Sequence, residues 1–470
     1  MELSNQSKEK YLIISPSFEV HNPEDYKFGQ KEKDFEYLVR KEALKETVSQ
    51  RKTPDAIEYF KRFGIDWEKM SDIGHMHYQP QACLMFDIIS DYAWQKVNSL
   101  GIPVYPIKGT NMFRLSEKPI KEHADLFGER LYEFELDNEK FVLRYAACHQ
   151  AFAMMKDWKI NYKQLPFGVF ENADSYRLEQ SGELLLGFRT RKMNMPDLHI
   201  LTKDVNHAKE FTLKIHKKIF EEYEDNLGRE LFSLYNITPS FFNENQEYIK
   251  KLLKIERKSI LLKFAPEGKY YWTINVEHHI IDTTNSPREI ATFQIDVGNS
   301  DRFGITYLDC TGDEKHMPII HTALIGTIER YLYTIFDTVA KQRLQGKKPS
   351  LPLWLSPTQV RVIPVSGAYV DYADELAEKI QSQRVRADID DREESVGKKI
   401  FKAERELVPY TIVLGEKEKT SEEYPVRVRE TKSIKQMPLN QLINEIYEKT
   451  NEKPFRNSYL PKEVSLRTIF

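Results

Sequence analysis

Residues 318–336 read PIIHTALIGTIERYLYTIF, and this stretch decides how the rest of the chain is read. A short apolar, strand-like run passes through His321, and Gly326 then permits a close backbone approach. Leu324, Ile328 and Leu332 recur at four-residue spacing, which marks the buried face of a helix. Arg330 lies near the start of that helix, where a charge needs a partner such as a phosphate.

Two earlier stretches carry chemistry of the same kind. DYAWQKVNSLGIPVYPIK (91–108) reads as a helix running into an extended segment that ends at Pro106. Proline cannot donate to a sheet ladder, so Pro106 belongs at a strand edge or an interface. FENADSYRLEQSGELLLGFRTRKM (170–193) puts Arg177 and Glu179 on a strand-like run, with a polar loop and then Arg189 on the next strand. Alternation would set residues 177 and 179 side by side on one face. A guanidinium fork grips phosphate oxygens, and a nearby carboxylate can accept from an adenine amino group. The same pair could equally be an ion pair across a hairpin. Beside these stretches stand Cys148, His199 and His321. Three such ligands without an evident fourth suggest a zinc left open to a substrate rather than a closed structural zinc.

The bulk numbers set the frame. At 470 residues two or three domains are expected, and 40% hydrophobic content suffices for their cores. A net charge of −3 excludes a generally basic protein, so a nucleic acid would be met by local Lys/Arg patches. Three Cys without paired spacing fit a reducing cytoplasm and no disulfide framework. The opening MELSNQSKEK has no apolar leader, and no apolar run is long enough to span a bilayer, so no membrane partner is expected.

Along the chain, residues 1–75 read as a charged helical extension with one strand-like stretch, YLIISPSFEV. Residues 76–340 mix a long helix with β-rich runs and lack the regular βαβ rhythm of a doubly wound sheet. That pattern predicts an α+β body with a mostly antiparallel sheet and flanking helices. KQRLQGKKPSLPLW reads as a linker, and residues 350–470 then alternate strands with crossover helices as a compact α/β domain.

In this order the three stretches resemble motifs 1, 2 and 3 of class II aminoacyl-tRNA synthetases, with the RxE of motif 2 and the GxxER of motif 3. LRYAACH, MPDLHI and IIHTALIGTIER narrow the resemblance to threonyl-tRNA synthetases, and HADLFGERLYEF and GNSDRFGITYLD look like their short archaeal form. The last 115 or so residues resemble the anticodon-binding domain of that group.

The resemblance implies ATP-dependent activation of L-threonine through threonyl-adenylate, and its transfer to tRNA(Thr), by a homodimer. Cys148, His199 and His321 would hold one Zn2+ per subunit, and Mg2+ would accompany ATP. Arg177 would clamp the α-phosphate, Glu179 would address adenine, and Arg189, Gln294 and Arg330 would complete ATP binding. Asp197 would hold the substrate, Tyr271 (next to Tyr270) would touch it, and Glu418 and Arg427 would read anticodon bases. The zinc has a physical purpose. Threonine and valine are near-isosteric, and an apolar pocket separates them poorly, whereas a metal that ligates the hydroxyl rejects valine.

The chain departs from the family pattern in four respects. Met195 replaces a common Gln, and Glu393 and Phe401 stand where relatives have polar or basic anticodon contacts. No HxxxH of an editing module occurs. Serine carries the hydroxyl too, so mischarging and a separate trans-editing protein are expected. Other readings are a synthetase for serine or proline, or a non-catalytic, tRNA-binding paralogue. Such paralogues typically lose the arginines that this chain keeps at 177, 189 and 330.

Overall fold

The structure is a computed structural model that describes residues 10–48 and 53–468. The polar opening at residues 1–9, read above as lacking an apolar leader, lies outside the described residues. Internal packing divides the chain into two units: Met1–Pro54 with Lys96–Thr334, and Asp55–Gln95 with Ile335–Phe470. No helix among the described residues is long and apolar enough to cross a membrane.

The first unit is built on a ten-stranded sheet. From one edge the strands are Val20–His21, Tyr11–Ile14, Ile260–Phe264, Phe232–Ile237, Trp272–Ile281, Pro287–Asp296, Ile319–Ala323, Lys192–Leu201, Phe167–Tyr176 and Val104–Pro106. From Phe232–Ile237 to Phe167–Tyr176 every neighbouring pair is antiparallel. Among the described residues Val104–Pro106 pairs only with Phe167–Tyr176, so Pro106 closes an edge strand where its missing N–H costs nothing.

Register sets the site. Asn275, Gln294, His321, His199 and Val169 lie opposite one another in a single row across five strands. Side chains alternate with period two, so Met195 and Asp197 share the face of His199.

The charged lead-in contributes more than helix. The run Tyr11–Ile14, aromatic at Tyr11 and β-branched at Ile13 and Ile14, pairs with Ile260–Phe264 and extends the main sheet. The Lys33–Glu42 helix lays Phe35, Leu38 and Val39 on Phe232, Leu234 and Leu261. Those three residues recur at i, i+3 and i+4, so they form one helical face.

The second unit holds a five-stranded sheet in the order Ala387–Ile389, Val360–Pro364, Tyr410–Leu414, Glu423–Val428, Ser433–Pro438. The first three strands run parallel, joined through the helices Val370–Gln381 and Val396–Arg405. The last two are antiparallel, which a short hairpin allows.

Candidate active site

Two strands and one helix end bring Cys148, His199 and His321 together. Cys148 is the first residue of the Cys148–Met155 helix, and the two histidines face each other in register on adjacent strands. All three are buried, and one ligating atom from each lies within 4.8 Å of the others. Phe152, one helical turn beyond Cys148, packs edge-on against both imidazoles at 5.2 and 5.6 Å.

The donor set fits a zinc on chemical grounds. One thiol and two imidazoles are zinc ligands, and three leave a position open. Among the described residues His199 Nε2 has no hydrogen-bond partner, and it is buried 3.4 Å from an Asp197 oxygen. Such an orphaned nitrogen is costly unless a ligand uses it. Burial pushes the Cys148 thiol up, with the charges of Asp197 and Asp296 adding to the effect. A bound cation would reverse that shift. Asp296 accepts from His321 Nε2 at 2.7 Å, and backbone N–H groups of Gly298 and Asn299 hold its other oxygen. A carboxylate behind an imidazole is the arrangement that orients metal-bound histidines.

Around this set, burial pushes the Asp197 carboxyl up to about 6. Tyr271 tilts over His321 at 5.4 Å and donates to Gln294 at 3.0 Å, whereas Tyr270 turns away to stack on Trp272. Met195 is half-buried opposite Ala173.

The arginines are placed differently from the strand reading. Phe167–Tyr176 ends one residue before Arg177, so Arg177 and Glu179 stand on irregular chain and not side by side on a strand. Arg189 sits in a tight turn bridged to Leu185, and the next strand starts only at Lys192. Gly187, at φ 74°, lies within that turn. Arg177 Nε donates to the Tyr145 carbonyl at 3.1 Å, and its guanidinium covers Phe127 at 5.3 Å. Burial lowers the pKa of Arg177, with the charge of Arg330 next, so the two cations feel each other. Glu179 accepts from Arg189 Nε at 3.1 Å. Arg330 is paired with the Glu289 carboxylate at 3.0 Å and covers Phe188 at 4.7 Å.

Motif 3 is pinned from behind. Gly326 has φ 68°, and a Cβ there would come within 1.8 Å of the Ile290 carbonyl oxygen. A π-helical turn at Glu221–Asn226 places Tyr223, whose hydroxyl donates to the Ile325 carbonyl at 2.9 Å. Its neighbour Glu222 accepts from the Tyr331 hydroxyl at 2.5 Å.

Sequence reasoning missed several of these groups. Asp296 was legible, since it follows Gln294 by two residues and alternation puts both on one face. The buried Arg144–Glu171 pair had no sequence signal; Arg144 Nη2 lies 2.6 Å from Glu171, which also accepts from Gly109 N. His123 packs on Tyr271 and His149, and burial pushes its imidazole down to about 4. In the second unit, Glu418 accepts from Gly415 N at 2.9 Å and so closes its own turn. Arg427 lies on the Glu423–Val428 strand with its Nε unpartnered.

Comparison with known proteins completes the picture. A model of the tRNA synthetase class II core domain (G, H, P, S and T) matches residues 132–339, and one of the anticodon binding domain matches 359–449. With the antiparallel sheet, these define a class II aminoacyl-tRNA synthetase. The threonine–tRNA ligase of Thermofilum pendens is 50% identical over 457 residues, 97% of this chain and 75% of that protein. That of Staphylothermus marinus is 50% identical over 466 residues, 98% of this chain and 75% of its own length. The chain belongs to the threonine–tRNA ligase family. Its fold is also that of the crystallised RNA binding domain of threonyl-tRNA synthetase from Cryptosporidium parvum Iowa II. That likeness has a TM-score of 0.73 at 21% identity, over 84% of this chain and 98% of the other.

Proposed function

We propose that this class II enzyme activates L-threonine with ATP as threonyl-adenylate, selects it with a zinc held by Cys148, His199 and His321, and passes it to tRNA(Thr). The observation that carries the reading is the buried trio itself, with ligating atoms within 4.8 Å of one another. A zinc bound there would supply a Lewis-acidic anchor for the amino and hydroxyl groups of threonine.

The surrounding residues have complementary tasks. Asp197 accepts from the substrate amino group, and Tyr271, braced by Gln294, walls the pocket. Arg177 meets the α-phosphate, and Glu179 and Arg189 take the adenine end. Arg330 meets adenine or the γ-phosphate after releasing Glu289. The threonine carboxylate is already an anion, so no general base is needed. Its oxygen forms the bond to the α-phosphorus as the bond to pyrophosphate breaks. The barrier falls through positioning and charge neutralisation by the arginines and the Mg2+ that accompanies ATP.

The catalytic body would span about 76–340 and the anticodon-reading domain about 350–470, with Glu418 and Arg427 on its bases. A cytoplasmic homodimer would form through the 83–108 stretch, and a half-exposed Tyr105 on the edge strand supports this. Serine carries the same hydroxyl, and losing one methyl discriminates by only roughly 10- to 200-fold. Mischarged seryl-tRNA would then need correction, which this reading gives to a separate protein.

The test is ATP–pyrophosphate exchange with threonine, valine and serine, before and after zinc is stripped. Zinc-dependent exchange with threonine and serine but not valine is expected. Exchange that survives full metal removal overturns the metal role, and rapid deacylation of seryl-tRNA(Thr) by the purified chain overturns the editing deficit.

A further inference from the structure

Arg144 is among the most deeply buried large side chains of the molecule, 1% exposed, and the reaction proposed above gives it no task. Its guanidinium makes a two-pronged pair with Glu171, Nη1 to Oε1 at 3.1 Å and Nη2 to Oε2 at 2.6 Å. Nη2 also donates to the Ala147 carbonyl, the last peptide oxygen before Cys148. Residue 144 is pinned through its backbone too. Its N–H donates to the Asn111 carbonyl at 2.8 Å, and its carbonyl accepts from the Tyr176 N–H at 2.7 Å. The fork is therefore fixed, and it fixes in turn where the Cys148–Met155 helix begins.

Glu171 is held from a second side. Its Oε1 accepts from the Gly109 N–H at 2.8 Å. The next residue, Thr110, donates from its backbone and its hydroxyl to Gln150, on the helix of Cys148, at 3.1 and 2.9 Å. One short loop thus latches both the carboxylate and the helix. A buried ion pair is weak evidence for stability by itself, because desolvating two charges offsets their attraction. The neighbours of this pair point to a different purpose.

Glu171 lies directly opposite Asp197 in the ladder between Phe167–Tyr176 and Lys192–Leu201, so both side chains rise from one face. Like charges directly opposed repel, and each of the two carboxylates would attract an ammonium group. Arg144 takes both oxygens of Glu171 and removes that competition. Asp197 stands 3.4 Å from His199 Nε2 and is left for the substrate.

We propose that Arg144, locked by Glu171, is a positioning residue for threonine selection. It places Cys148 through the Ala147 carbonyl, and it withholds Glu171 from the substrate ammonium group so that Asp197 alone receives it. This rests on the zinc and Asp197 roles proposed above and deepens them.

The test is Arg144→Lys, which keeps the charge and loses the fork, beside the near-isosteric Glu171→Gln. Each full chain is loaded with Co2+ in place of zinc, so that the thiolate-to-cobalt absorption band reports the Cys148 bond independently of turnover. In Arg144→Lys the band should shift or weaken, and metal affinity should fall about 10- to 100-fold in chelator competition. The KM for threonine in pyrophosphate exchange should rise about tenfold, with that for ATP unchanged. Glu171→Gln keeps the shape and one acceptor, so the same changes are expected at a smaller size, about threefold in the threonine KM. Arg361→Lys breaks a buried pair of the same build, with Asp388 in the second unit, and is the control. It should lower Tm and leave the band and both constants alone. A wild-type band and threonine KM in Arg144→Lys and Glu171→Gln, whatever their Tm, overturn the proposal. If Arg144→Lys does not fold, Glu171→Gln decides by itself. An unaltered protein that shows no thiolate band with Co2+ would instead overturn the zinc reading, and the threonine KM of the variants would then decide the positioning role.

Discussion

The Cys148–His199–His321 cluster and the arginine loop of the first unit are built in opposite ways. His199 and His321 are fixed by strand register, and Cys148 by the first turn of a helix. Arg177, Glu179 and Arg189 stand on irregular chain, and the charges around them are paired with one another, as Glu179 holds Arg189 and Glu289 holds Arg330. One half of the site is therefore preformed, and the other is satisfied with itself until substrate arrives. Under the proposed function, discrimination of the amino acid would rest on the rigid half, and the exchange of ion pairs on the half that can rearrange.

Breaking the rigid half should have the largest effect. Cys148→Ala is expected to lose stoichiometric zinc and lower threonine-dependent exchange by about a thousandfold, read by metal analysis beside the exchange assay. Removing a charge from the other half comes next. Arg330→Ala should cost about 100- to 1000-fold in exchange with its zinc content intact, and parallel metal loss would erase the distinction between the halves.

Asp296→Asn probes the support of the row. It keeps shape but weakens the acceptor behind His321, so zinc affinity should fall about 10- to 100-fold in a chelator competition. The smallest effect sharpens the comparison from behind motif 3. Tyr223→Phe removes one hydroxyl from the Ile325 carbonyl, and the KM for ATP should rise about three- to tenfold with that for threonine unchanged. Tyr248→Phe, which removes a hydroxyl facing Thr212, is the control and should leave both constants alone.

The same contrast explains what could be read from the sequence. His199 and His321 lie inside apolar runs whose alternation is visible, and the antiparallel sheet followed from such runs. The alternation of FENADSY reads on past Tyr176 and predicts a strand for Arg177 and Glu179, yet the strand ends at Tyr176. The turn around Gly187 was hidden in LLLGFRTRKM, since an apolar run does not announce a bend. Asp296 is legible two residues after Gln294, on the same face of its strand. The pairing of Tyr11–Ile14 with Ile260–Phe264, and the π-helical turn that presents Tyr223, depend on contacts far apart in the chain. No local pattern encodes them.

The row from Asn275 to Val169 has a consequence for how the protein comes into being. Because its members are directly opposed across five strands, a slip of one residue in any pairing would turn that strand's contribution to the far face of the sheet. Under the proposed zinc selection, choosing the right amino acid and completing the fold would be the same event. A newly made chain would then have no partly selective stage, and refusal of valine would report that the strands bearing His199 and His321 have found their places.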